Sequence, residues 1–188
     1  MIDEAAAERA VRDYLVAIGL DPAEPTLRDT PHRVARAAAD LFSGVGGDPV
    51  AALGAADPAE GGPLGPVAVS GIPFSSVCEH HLLPFRGTVS IAYLPGRALA
   101  GLGGFDAAIR VLAARPQLQE RLADEIAAAV QDALAPRGVI VAIDAEHSCM
   151  WARGGRTVGA VVRSIAARGD YDLDGAHRAE ALALVGRA

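Results

Sequence analysis

Both cysteines of the chain stand beside histidines, in Cys78-Glu79-His80-His81 and in His147-Ser148-Cys149. The two clusters hold three of the five histidines. Cys78 and His81 are three residues apart, so one tight turn can bring both to a single ion. Cys149 would arrive from a distant segment. Two thiolates and an imidazole form a zinc-binding set, and three protein ligands leave the fourth tetrahedral position open to water. An open position separates a hydrolytic zinc from a structural one. His80 and His147 are then free to move protons. Two readings compete with a metal: ordinary core thiols and a Cys78–Cys149 disulfide. The histidines flanking both thiols favour the metal. Met1 to Ala10 carries acids and no apolar signal core, so nothing points to export and a disulfide. No apolar run approaches the ~20 residues of a membrane span. The expected location is the cytoplasm.

The elements that must hold these clusters follow from the hydrophobic pattern. In 188 residues, 51% are hydrophobic and only 4% aromatic, so Ala, Val and Leu must fill the core. All 17 cationic side chains are arginine and the net charge is −6. That balance argues against a general nucleic-acid binder, which needs a basic face, but leaves room for one nucleotide. Residues 3–18 read as a helix through Ala7, Val11, Leu15 and Ile18, with Gly19 as its stop. Thr30 is the expected N-cap of a second helix, with Pro31 in its first turn and its end at Ser43-Gly44. Residues 44–65 read as an irregular loop. Strands are expected from Pro66 to Val77, loosely alternating, and from Gly87 to Leu94. Helices follow over Gly104 to Ala114 and from Pro116 to Leu134. Strands over Val139 to Ile143 and Thr157 to Ile165 and a short helix from Asp174 to Val185 complete the chain. The order is ββααββ: an α+β domain over residues 66–188, with a four-stranded antiparallel sheet and two helices on one face. An N-terminal helical arm and loop, residues 1–65, precedes it. The sheet edges lack protection, so association through them is expected.

Four ordered segments carry a resemblance. They are Asp29-Thr30-Pro31-His32-Arg33-Val34-Ala35; Phe74 through Phe85 with Cys78-Glu79-His80-His81 at its centre; Arg115-Pro116-Gln117-Leu118-Gln119-Glu120-Arg121-Leu122; and His147-Ser148-Cys149 leading to Ala152-Arg153-Gly154. Over roughly residues 10–165 the chain resembles the GTP cyclohydrolase I family. The resemblance implies the tunnelling fold, in which sheets of several subunits join edge to edge. It implies a toroidal homo-oligomer, usually a decamer, with sites at subunit interfaces. It implies opening of the imidazole ring of GTP, loss of C8 as formate and reclosure to dihydroneopterin triphosphate. Cys78, His81 and Cys149 would hold Zn2+ and make its water the nucleophile toward C8. His80 and His147 would relay protons. Glu120 would accept from guanine N1–H and the 2-amino group, with Gln119 a weaker candidate for the same pocket. Arg33, Arg36 and Arg153 match positions that contact the triphosphate. Glu79 would orient a ligating histidine.

One segment departs from the family pattern. Where the family carries Gly-Leu-Ser-Lys and an arginine three residues beyond the lysine, this chain has Gly101-Leu102-Gly103-Gly104 and Ala107. Two cations are missing and Asp106 adds a negative charge; Arg110, one turn on, is the candidate to compensate. In the last strand Val161-Val162-Arg163-Ser164 replaces a Thr/Ser-rich run. Two lost charge-assisted contacts at about 1.5–3 kcal/mol each amount to two to four decades of affinity. The expected function is therefore GTP ring opening. The alternatives are a zinc hydrolase acting on a guanine-like or oxidised purine without triphosphate, such as 8-oxoguanine or urate, and a non-catalytic purine- or pterin-binding oligomer.

Overall fold

The structure, a computed structural model, describes residues 2–54, 56–58, 64–96, 98–155 and 157–186. The arm begins with α1 (Glu4–Ala17), whose N-cap Asp3 accepts from the Ala6 amide at 2.9 Å. It pairs with α2 (Thr30–Leu41). The α2 N-cap is Asp29 rather than the expected Thr30. The chain is already turning there: the Thr30 amide bonds the Leu27 carbonyl at 2.9 Å, so helical geometry starts one residue early. Within the protomer, Leu15 is the only buried residue of α1, while Tyr14, Val16, Ile18, Val34 and Leu41 lie exposed.

Residues 44–65, expected to be irregular, contain two short elements. Helix α3 (Pro49–Leu53) is capped by Asp48, whose carboxylate accepts from the amides of Val50 (2.9 Å) and Ala51 (3.1 Å). Strand β1 (Ala56–Pro58) pairs with β4 (Ala98–Ala100) in a small second sheet. Residues 55 and 59–63 of that expected loop lie outside the described residues.

The main sheet has the order β5-β2-β3-β6-β7. Its long strands are β2 (Val67–Cys78), β3 (Pro84–Leu94), β6 (Gly138–His147) and β7 (Val161–Gly169), each antiparallel to its neighbour. The loose alternation of the first strand has a physical origin. A register shift between Val69 and Ile72 forms a bulge at Gly71, whose φ of 75° suits a residue without Cβ. The bulge exchanges the faces, so Val67 and Val69 before it and Ile72 and Phe74 after it all reach the same core.

Two expectations about the layout are corrected. Pro116 does not open a helix. Pro116–Gln117 form β5, parallel to the end of β2 with Cys78 opposite Gln117, and the Glu79 amide donates to the Gln117 carbonyl at 3.1 Å. The sheet is therefore five-stranded and mixed, and the helix α5 (Gln119–Leu134) starts three residues later. The two helices expected on one face do share it, and the opposite face is covered as well. Helix α4 (Leu102–Ala113) supplies Phe105, Ile109 and Leu112, and α5 supplies Leu122, Ile126 and Val130, to the core over one face. Beyond the single-turn α6 (Asp170–Leu173), α7 (Gly175–Val185) crosses to the other. There Tyr171, Ala181 and Val185 pack on Ala92, Leu94, Ile140 and Ala142. Burial on both sides explains why Val139 to Ile143 reads as an uninterrupted apolar run. No described helix is long and apolar enough to cross a membrane.

Candidate active site

The C-terminal end of β2, the start of β3, the start of α5 and the end of β6 meet at one end of the sheet. Register alone places Phe85 of β3 opposite His147 of β6. Between β2 and β3 the chain reverses in a tight turn. The Cys78 amide donates to the Leu83 carbonyl at 2.9 Å, and the Leu82 amide to the Cys78 carbonyl at 2.8 Å. Leu82 takes a left-handed φ of 52° to close it. His81 stands on this turn, exposed, while Cys78 at its base is buried. After β6, residues Ser148–Met150 form a single 3-10 turn, tied back to β3 by Ser148 Oγ donating to the Pro84 carbonyl at 2.6 Å.

These two turns bring Cys78, His81 and Cys149 together, with their ligand atoms all within 4.8 Å of one another. Both cysteines are free thiols, so the disulfide reading falls. The donor chemistry fits zinc. At a Zn–S distance of about 2.3 Å, two tetrahedral sulfurs lie about 3.8 Å apart, which is compatible with ligand atoms that all fall within 4.8 Å. The Cys149 thiol is pushed up from its usual pKa by burial and by Cys78 beside it. A divalent cation between the two would reverse both effects.

His147 is half-buried and its ring stacks on Phe85, with centroids 4.5 Å apart and planes within 5°. Burial lowers its pKa, and the nearby Glu120 carboxylate opposes that shift. Its Nε2 lies 2.7 Å from Oε1 of Gln119. His80 is exposed and meets His81 edge-on at 6.2 Å. A cavity of about 220 Å³ is lined by Cys78, Cys149, His80, His147, Gln119 and Glu120. Gln119, read from the sequence as a candidate for the ligand pocket, is 2% exposed. Its amide nitrogen is spent on two strand carbonyls, Ile143 at 3.0 Å and Val162 at 2.9 Å.

The pattern of types and spacing did not reveal the support beneath this site. Gln117 is buried and donates to the Leu112 carbonyl (3.0 Å) and to Glu125 (2.7 Å). Arg121 donates to Oε1 of Gln117 (3.0 Å) and to the Pro116 carbonyl (3.2 Å), and it pairs with Glu79. Glu79 thus has a structural role, anchoring the turn that carries His81 to α5. Only Arg121 and Glu125, four residues apart on α5, carry a sequence signal for this network; Gln117 lies on β5 before the helix.

The candidate phosphate contacts are less concentrated. Arg153 is exposed and close enough to Cys149 to ease its ionisation. Arg33 and Arg36 lie exposed on α2, away from the 220 Å³ cavity, with Arg33 paired to Asp29 at 3.4 Å. Arg110, with a 77% exposed side chain, pairs with Asp106 at 2.6 Å. It lines a separate cavity of about 380 Å³ with Ser43, Gly44 and Phe74. At Gly104 a Cβ would lie 2.0 Å from the Leu53 carbonyl oxygen, so the backbone of α3 occupies the place of any side chain there.

Comparison with known proteins agrees with the four segments. The family model described as GTP cyclohydrolase I matches residues 7–186. GTP cyclohydrolase 1 of Leifsonia xyli subsp. xyli is 49% identical over 184 residues, covering 98% of this chain and 96% of the relative. GTP cyclohydrolase 1 of Mycobacterium marinum is 46% identical over 185 residues, covering 97% and 91%. That of Mycobacterium leprae strain Br4923 is 46% identical over 187 residues, covering 98% and 90%. With a family match over nearly its whole length and relatives at this identity, the chain belongs to the GTP cyclohydrolase I family.

Proposed function

We propose that this protein converts GTP and water to formate and 7,8-dihydroneopterin triphosphate as a zinc-dependent cyclohydrolase. The observation that carries the reading is the convergence of Cys78, His81 and Cys149 with His80, His147 and Glu120 at one end of the sheet. Zinc held by the first three would supply Lewis acidity for activating water at C8. The other roles belong to side chains. Glu120 accepts from guanine N1–H and the 2-amino group, a bidentate contact that selects guanine. His147 is biased toward its neutral form by burial, which suits it to take up a proton and return it to a ring nitrogen or the ribose oxygen. His80, exposed at the cavity mouth, serves the second transfer. Arg153 reaches toward the phosphates from beside Cys149. Arg33, Arg36 and Arg110 lie outside this protomer's cavity, so a contact from them would come across a subunit interface.

The assembly that suits this reading is a toroidal homo-oligomer with the tunnelling fold, built by residues 66–188 and assisted by the arm, residues 1–65. The exposed apolar residues of α1 and α2 support it. So do the edge strand β7, which presents Val161 and Ile165, and β2, which β5 covers only at its last two residues. The expected compartment is the cytoplasm.

A second reading has its own observation. Gly104 is pressed against the Leu53 carbonyl and Arg110 is engaged by Asp106, so the start of α4 offers no free cation to a phosphate tail. Guanosine or an oxidised purine base would lose less there than GTP. One assay separates the two. Zinc-loaded protein should release one formate per GTP with the fluorescence of a pterin. Turnover of guanosine or 8-oxoguanine with none of GTP would contradict the first reading and support the second.

A further inference from the structure

We propose that Gln119 is a positioning residue that holds His147 in the Nε2–H tautomer, leaving the lone pair of the neutral ring on Nδ1. Gln119 is 2% exposed, and its Nε2 donates to the carbonyls of Ile143 on β6 and Val162 on β7, at 3.0 and 2.9 Å. Both acceptors are backbone atoms of adjacent paired strands and cannot turn away. Flipping the amide would set its oxygen against two oxygens and forfeit both bonds. The orientation is therefore fixed, and Oε1 must face His147, whose Nε2 lies 2.7 Å away. An amide oxygen only accepts. The proton in that contact is therefore on the imidazole, and in the neutral ring the lone pair falls on Nδ1.

The second restraint is the ring plane. Phe85, 1% exposed and paired with His147 in the β3–β6 register, stacks within 5° of parallel at 4.5 Å. A half-turn of the ring keeps this stack but sets a carbon where Nε2 now meets Oε1, so the Gln119 contact decides between the two orientations. Among the described residues Nδ1 has no hydrogen-bond partner.

The kinetic part of this proposal rests on the cyclohydrolase reading; the tautomer does not. The test is 15N magic-angle-spinning NMR of zinc-loaded, 15N-histidine-labelled protein at neutral pH, with the His147 signals assigned by their loss in His147→Asn. The expected spectrum has a protonated Nε2. A bare Nε2 with a protonated Nδ1 would overturn the proposal, whatever the protein does with GTP. Gln119→Met keeps the side-chain length and removes both hydrogen-bonding ends. It should give a mixture of tautomers and lower kcat by about 10–100-fold per bound zinc, the range found when an outer partner of a site is removed, with KM within about threefold. Native tautomer and native kcat in that variant would also overturn it. If the variant does not fold, the spectrum of the unaltered protein decides alone. If the protein turns over no GTP, the functional reading fails while the spectrum still decides this one.

Discussion

The two ends of the candidate substrate site are built differently. At the metal end almost every polar group is committed: Gln119 to two strand carbonyls and His147, Gln117 to Leu112 and Glu125, and Ser148 to Pro84. All but the exposed Ser148 bond are buried or half-buried, and together they tie α4, α5, β3, β5, β6, β7 and the turn after β6 to one another. The proposed phosphate contacts outside the cavity are instead exposed arginines paired with neighbouring carboxylates, Arg33 with Asp29 and Arg110 with Asp106, and the start of α4 carries a glycine against backbone. Exposed pairs of that kind contribute little, and their members are readily recruited or lost. A buried network fails as a unit, because each lost partner leaves an unsatisfied group behind. The contrast teaches where change is tolerated: an exposed pair can be exchanged at little cost, a buried network cannot.

Substitutions at the metal end should have the largest effects. Cys149→Ala should remove zinc and activity together, read by elemental analysis and formate release. His147→Ala should retain stoichiometric zinc while kcat falls by about 10²–10⁴, the usual worth of a general acid–base group. Full activity in that variant would break the contrast. Glu120→Gln exchanges a charged acceptor for a neutral one. A charge-assisted bond of about 1.5–3 kcal/mol predicts a loss of roughly one to two decades in kcat/KM for guanine-type substrates.

Smaller effects are expected away from that end. Gly104→Ala places a Cβ 2.0 Å from the Leu53 carbonyl oxygen, so the α3–α4 contact must shift. Overpacking of this kind costs about 1–3 kcal/mol, visible as a lowered melting temperature. An unchanged melting temperature would show that α3 yields freely and that the site can regain a side chain there. The smallest concerns Asp144, whose carboxyl is held below the usual carboxylate range chiefly by the hydrogen bond from Arg163. A depressed native pKa contributes stability above the unfolded value, near 4, that is lost as the pH falls through the native one. Arg163→Met should therefore flatten the acid limb of a stability–pH curve and cost at most about 1 kcal/mol at pH 7, since the pair is partly exposed.

The sequence disclosed the metal end unevenly. Cys78, His81 and Cys149 were legible because few residue types bind zinc and their spacing suits a turn. The core helices were legible because stripes such as Leu122, Ile126 and Val130 repeat at helical spacing. Strand β5 was not, because Pro116 is a common first residue of a helix, and only the parallel pairing of Gln117 with Cys78 makes it a strand. The crossing of α7 to the far face was hidden because amphipathicity states that a face is buried, not against which layer. Gln119 was legible as a pocket residue, but its partners, and Gln117 altogether, were hidden for a related reason. A glutamine reads as surface until its partners are known, and those of Gln119 come from β6 and β7, far along the chain.

The central claim is an open zinc centre on two sulfurs and one imidazole beside His147. X-ray absorption at the zinc edge of protein purified without chelators tests it directly. The account predicts one zinc per chain, with two sulfurs at about 2.3 Å and two lighter ligands at about 2.0–2.1 Å. A shell of nitrogen and oxygen alone, or no stoichiometric zinc, would contradict it.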